Sequence, residues 1–173
     1  RPEYLDIIGT NFYDRNEWVN YGETLTRLDS RYRPFHQILY EVWERYKRPL
    51  FVSETGTEND ARADWFDYIC SEVEVAQRIG IPVHGICLYP ILNHPGWIDD
   101  RHCCNGLFDY ADSSGHREIY QPLAEAILRA GEKLRQSSLI ATHELQQNRP
   151  DLLVPSPMGI RVSKTAAFDE QVW

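Results

Sequence analysis

Apolar residues along this chain change their spacing in a regular way. Leu5-Asp6-Ile7-Ile8-Gly9-Thr10-Asn11 is a short β-favouring run that ends in polar Asn11 and, two residues on, Tyr13. After a loop containing Gly22 and Asp29, Pro34 opens a helical stretch. Phe35, Ile38, Leu39, Val42, Trp43 and Tyr46 fall at i, i+3, i+4, i+7, i+8 and i+11, the spacing of one helix face. Arg48-Pro49 then leads into a second apolar run, Leu50 to Ser53, which Thr55 and Gly56 are expected to break. Asn59 or Asp60 is placed to cap a second helix with an apolar face of Trp65, Phe66, Ile69, Val73, Ala76 and Ile79. Gly80 and Pro82 close that helix in the expected order. Val83 to Leu88 is a third strand, followed by a long loop to about Tyr110. Pro122 starts a last helix carrying Leu123, Ala126, Ile127, Ala130 and Leu134 on one face.

Strand, helix, strand, helix, strand, helix is the repeat of a parallel α/β protein. Three such units are too few to close an eight-stranded barrel, which takes about 250 residues. They form either an open parallel sheet or part of a larger barrel. Periodicity fades from about Ser137, and Pro150, Pro155 and Pro157 punctuate the remainder of the chain. The expected division is 1–136 as βα units and 137–173 as an extended or poorly packed tail.

Composition narrows the class. The chain has 173 residues, 42% of them hydrophobic, enough for a real core. A net charge of −8 without a basic cluster excludes nucleic acid as an expected partner. No apolar run approaches a membrane span and no signal peptide is visible, so a cytoplasmic location is expected. The chain opens Arg1-Pro2-Glu3 without an initiator Met, as a fragment or processed product would. Five Trp and ten Tyr supply aromatic faces, which suit both cores and sugar clefts. Cys70, Cys87, Cys103 and Cys104 have no disulfide-framework spacing and are expected to be reduced. His102-Cys103-Cys104, with His94 or His116, lacks a second paired ligand motif, so neither metal nor cofactor is expected.

One residue stands out chemically. Glu54 ends the second strand just before a loop, and in parallel α/β architectures that end of the sheet carries the chemistry. Three segments together resemble the carboxyl-terminal part of family 1 glycoside hydrolases, the β-glucosidase family. Leu5 to Tyr13 resembles the sixth-strand motif D-F-x-G-x-N-Y-Y. Pro49-Leu50-Phe51-Val52-Ser53-Glu54-Thr55-Gly56 resembles the seventh-strand motif P-x-x-I-T-E-N-G. Gly85 to Leu107 lies without a gap along the eighth-strand segment, G-Y-x-x-W-S-L-x-D-N-x-E-W through to F-G-L. The resemblance spans roughly the first 135 residues. It implies a partial (β/α)8 barrel with three of the eight strands, and a retaining β-glycosidase activity in the parent protein. It further implies Glu54 as the nucleophile, Tyr13 as its hydrogen-bonding partner, Asn11 at the mouth of the pocket and Trp97 as an aromatic platform for a carbohydrate or glycoside. A phenol donating to a carboxylate stabilises its charged form, which a nucleophile needs.

The departures from the family pattern are specific. The acid/base Glu of an N-E-P motif has no counterpart, because nothing corresponds to the fourth strand. Asn16-Glu17-Trp18 is in the wrong unit, and Glu17 is expected to be a solvated loop residue. Tyr89 replaces the family's eighth-strand Trp, and Gly96 replaces the Glu that grips the sugar. Elsewhere, His84 is expected to be a satisfied core histidine, and Glu41, Glu44, Arg45 and Lys47 a solvated helix face. Three readings are open. One is the carboxyl-terminal portion of a retaining glycosidase, with the missing half of the barrel as its partner. The others are a sugar-binding or structural module without hydrolysis, and a different α/β enzyme with Glu54 as base or metal ligand. The geometry expected is sequential strand order, a Tyr13–Glu54 hydrogen bond of roughly 2.6–3.0 Å, and a cis Tyr89–Pro90 peptide, since cis bonds cost only ~0.5–1 kcal/mol before proline.

Overall fold

The structure is a computed structural model that describes residues 4–133. The predicted tail, 137–173, and Leu134 lie outside the described residues. Two units divide the chain at 127/128, and the first contains all the elements below. They run β1 (Ile8–Asn11), α1 (Phe35–Tyr46), β2 (Leu50–Thr55), α2 (Ala61–Arg78) and β3 (Val83–Leu88). Residues 121–127 are helical and bury Leu123 and Ala126, and in the second unit residues 128–133 are helical. The strands form one parallel sheet in the order β1-β2-β3, as their sequence order predicts.

Two strand boundaries differ from the sequence reading, and pairing explains both. β1 begins at Ile8 rather than Leu5, because its neighbour begins at Leu50 and Ile8 is the residue that pairs with it. β2 runs on through Glu54 and Thr55, which pair with Asn11 and Leu88. Ladder bonds outweigh the weak strand preference of Glu54, while β-branched Thr55 itself favours a strand.

Leu50 and Val52 of β2, Val83 of β3, Phe35 and Leu39 of α1, and Trp65, Ile69, Val73 and Ala76 of α2 bury the helix-facing side of the sheet. Phe12, just past β1, completes this core. Its ring stacks on Phe35 at 4.3 Å between centroids and on Trp65 at 5.9 Å. Burying such a ring contributes about 1.5–3 kcal/mol. Tyr46 and Ile79, both predicted on apolar helix faces, are about half exposed. They lie at and just beyond helix ends, past the reach of the sheet. His84 is also exposed rather than in the core. His84 follows core-facing Val83, so strand alternation turns it away from the helices.

The helix ends are tied across the fold. Neither Pro34 nor Asp60 makes a side-chain cap. Instead the Phe35 amide donates to Tyr68 Oη and the His36 amide to Glu72 Oε2, so α2 satisfies the first free donors of α1. Gly80 takes φ 89° after α2, and the Ile81 amide then reaches back to the Ala76 carbonyl. The solvated face of α1 carries exposed ion pairs, Glu41 with Arg33 and Glu44 with Lys47. Among the described residues no helix is long and apolar enough to cross a membrane.

Arg62, which the sequence pattern does not single out, is buried in the first turn of α2. Its Nε donates to the Asn59 carbonyl at 2.7 Å and its Nη1 to the Gly106 carbonyl at 2.6 Å, while the guanidinium lies 3.6 Å above the Tyr120 ring. It therefore fastens the long loop after β3 to the start of α2. We expect Arg62→Met to destabilise the fold by about 1–3 kcal/mol for each acceptor left unpaired. Arg45→Met, on the exposed face of α1, should stay within about 0.5 kcal/mol. Equilibrium urea unfolding of the two variants reads this difference.

Candidate active site

The site is built where β1, β2 and β3 end. Asn11 pairs with Glu54 across the sheet, and the Phe12 amide donates to the Glu54 carbonyl at 3.0 Å. On the next strand the Tyr89 amide donates to the Thr55 carbonyl at 2.9 Å. Asn11, Tyr13, Glu54 and Tyr89 thus share one end of one sheet. Thr55 faces the core and accepts from Trp65 Nε1 at 2.9 Å. Gly56 has to be glycine, because a Cβ there would lie 2.1 Å from the Tyr89 carbonyl oxygen. The Tyr89–Pro90 peptide is cis.

With Phe12 held in the core, Tyr13 turns outward and its hydroxyl donates to Glu54 Oε2 at 2.7 Å. Burial, then the hydrogen bond and charge of Glu54, push the Tyr13 phenol well above its ordinary value. It is therefore a neutral donor through the physiological range. Glu54 itself is half-buried.

A cleft of about 360 Å³ opens beside this pair. Tyr13, Tyr89 and Trp97 line it, and Trp97 is 85% exposed. Glu54 and Asn11 are not among the lining residues. Glu54 borders the cleft through Tyr13, while the Asn11 side chain accepts from Ser53 Oγ at 2.7 Å. So the structure brings Tyr13, Tyr89 and Trp97 together and joins Glu54 to them by one hydrogen bond, with Asn11 to the side. Two carboxylates that the sequence pattern does not single out also line the cleft. Asp14 accepts from Thr57 Oγ1 at 2.8 Å. Glu58 takes a two-pronged contact from Arg101, 2.7 and 3.0 Å, which holds its carboxyl below the usual range. Glu17 belongs to a different cavity with Trp18, Leu25 and Arg33, where its Oε2 accepts from the Arg33 amide. It is only half-exposed, and its Oε1 is buried without a partner, so it is not the solvated loop residue the sequence implied. Cys103 is buried and Cys104 exposed, both as free thiols. No group of three or more His, Cys, Asp or Glu is arranged to hold a metal among the described residues.

No protein-family model matches the chain, and no curated protein matches it. Solved structures do. A family 1 β-glucosidase from Thermotoga maritima superposes with a TM-score of 0.55 at 17% identity, over 71% of this chain and 34% of that one. β-Glucosidase from the same organism in complex with deoxynojirimycin gives 0.56 at 17%, over 72% and 35%. Its complex with glucoimidazole gives 0.56 at 18%, over 72% and 34%. The chain spans about a third of the length of these structures. At this identity the likeness is one of fold: an α/β arrangement of three parallel strands matching part of a TIM-type glycosidase barrel.

Replacing Glu54 by Gln removes the charge that opposes ionisation of Tyr13 and leaves its burial. The Tyr13 phenol should then titrate at lower pH than in the unmodified protein, though still above free tyrosine, as read by NMR of ring-labelled tyrosine. An unchanged midpoint would break the assigned pairing. Because the folded-state value lies above the unfolded one, near 10, this phenol's contribution to stability is intact below about pH 10 and lost as pH rises beyond it.

Proposed function

We propose that the chain supplies the nucleophile side of a retaining β-glycosidase site. The observation that carries this is the 2.7 Å bond from the Tyr13 hydroxyl to Glu54 at the carboxyl end of a parallel sheet. In this reading Glu54 attacks the anomeric carbon, the glycosidic C–O bond breaks, and water then cleaves the glycosyl ester. Tyr13 fixes the attacking carboxylate, and Trp97 and Tyr89 offer faces to the sugar. The neighbouring solved structures, β-glucosidases bound to compounds such as deoxynojirimycin, support a carbohydrate ligand.

Retaining hydrolysis also needs a carboxylic acid about 5 Å from the nucleophile to protonate the leaving oxygen. Glu58 does not fit, since Arg101 keeps it ionised. Glu17 does not fit either, lying in a separate cavity. We assign the acid to the part of the barrel that this chain does not contain, so the intact site belongs to the assembled parent protein. One observation favours a second reading, a sugar-binding module without hydrolysis: Glu54 is not among the residues that line the cleft.

Without an acid, cleavage of unactivated glycosides should fall by a factor of ~10²–10⁴. The isolated chain is expected to cleave 2,4-dinitrophenyl β-glucoside slowly and cellobiose not measurably. Glu54→Ala with azide should yield the glycosyl azide of inverted configuration. Efficient cellobiose hydrolysis would place an acid within this chain. Sugar binding without any azide product would establish the second reading instead.

A further inference from the structure

One Asn-Gly pair occurs in the chain, Asn105-Gly106, and the two residues are there for separate physical reasons. Asn105 lines the cleft and binds His94 twice. Its Oδ1 accepts the His94 amide at 3.4 Å, and its Nδ2 donates to His94 Nε2 at 3.2 Å. The other ring nitrogen, Nδ1, faces the Pro95 carbonyl at 2.7 Å. A carbonyl can only accept, so Nδ1 carries the proton and Nε2 is the acceptor. Gly106 is buried, and a Cβ there would lie 2.4 Å from the Leu92 carbonyl carbon and 2.5 Å from the Asn93 nitrogen. Only glycine fits so close an approach of two backbones.

Together these two needs create a chemically labile junction. The amide carbon of an Asn side chain is open to attack by the backbone nitrogen of the next residue, most of all when that residue has no Cβ to shield it. The Gly106 nitrogen would bond to Asn105 Cγ, and its proton would leave with the side-chain nitrogen as ammonia. Water would then open the succinimide ring to aspartate or isoaspartate. The attacking nitrogen must first give up its proton, and here that proton is held. The Gly106 N–H donates to Asn93 Oδ1 at 2.6 Å. Asn93 is only 6% exposed and is fixed at its other end, where Nδ2 donates to Asp109 Oδ1 at 2.8 Å. Deprotonating Gly106 would leave a buried anion facing a carbonyl oxygen. The Gly106 carbonyl is held as well, by Arg62 Nη1 at 2.6 Å.

We propose that Asn105-Gly106 is a latent deamidation site, that the hydrogen bond from Gly106 to Asn93 keeps it unreacted in the folded chain, and that its product loosens the loop. Isoaspartate lengthens the main chain just before Gly106, where the packing has no room. Either product also exchanges the amide that donates to His94 for a carboxylate. The proposal does not depend on any sugar chemistry. Its test is incubation of the full chain at mildly alkaline pH, with peptide mass spectrometry reading the conversion of amide to acid at Asn105 and enzymatic methylation reading isoaspartate. The folded chain should react at least about tenfold more slowly than the chain unfolded in urea. Asn93→Ala, shown to be folded by circular dichroism, should recover much of the lost rate. Arg62→Met loosens the same loop but leaves the Asn93 bond in place, and should stay close to the unmodified chain. If Asn93→Ala does not fold, hydrogen exchange in the unmodified chain decides, because folding should slow Gly106 amide exchange and Asn105 deamidation by similar factors. The purified isoaspartate form should unfold at a lower urea concentration than its parent. Equal rates in the folded and unfolded chain, a folded Asn93→Ala no faster than its parent, Arg62→Met as fast as Asn93→Ala, an unprotected Gly106 amide, or an unchanged urea midpoint for the isoaspartate form would each overturn the proposal.

Discussion

The placement of Phe12 governs the rest of the site. Its ring is held between Phe35 at the start of α1 and Trp65 in α2. This contact fixes the first residue beyond β1 in the core, and its successor must then leave the core. Tyr13 is consequently delivered to the rim of the sheet, where its hydroxyl meets Glu54 from the adjacent strand. The same Trp65 donates its indole N–H to Thr55, the residue after Glu54. One aromatic cluster therefore sets the ends of both strands that carry the pair.

The cleft is fixed from the other side by polar contacts. Arg62 ties the long loop after β3 to the beginning of α2. Asn93 strengthens that tie, accepting the Gly106 amide at 2.6 Å and donating to Asp109 at 2.8 Å. These buried groups are costly to leave unpaired, which makes the loop geometry exacting. Beyond this anchored stretch, the segment with His94, Trp97 and Arg101 folds back on itself through the Pro95–His102 bridge. The loop is thus firm at its base, and its exposed tip carries aromatic surface.

Electrostatics divide the labour among the acidic groups. Glu58 is paired with the charged Arg101, whereas Asp14 and Glu54 each accept from a neutral hydroxyl, those of Thr57 and Tyr13. A phenol orients a carboxylate without cancelling its charge, which leaves negative charge available for chemistry or binding. A salt bridge at the same place would have neutralised it.

Much of this was legible in the sequence, because it depends on spacing. The helical stripe from Phe35, the apolar run at Leu50 and the Gly80-Pro82 stop marked α1, β2 and the end of α2, and the alternation of elements implied a parallel sheet in sequential order. Strand-end positions likewise marked Tyr13, Glu54 and Tyr89 as neighbours. Three things were decided only by tertiary contacts. The true strand ends depend on which residues find a partner across the sheet. The burial of Arg62 depends on the Gly106 carbonyl and the Tyr120 ring, both brought to it from far along the chain. The hydrogen bonding of His94 depends on Pro95 and Asn105, which meet its two ring nitrogens. Local patterns record which face of an element is apolar. They do not record which distant polar group will satisfy a buried donor, and on that the side chains of this cleft depend.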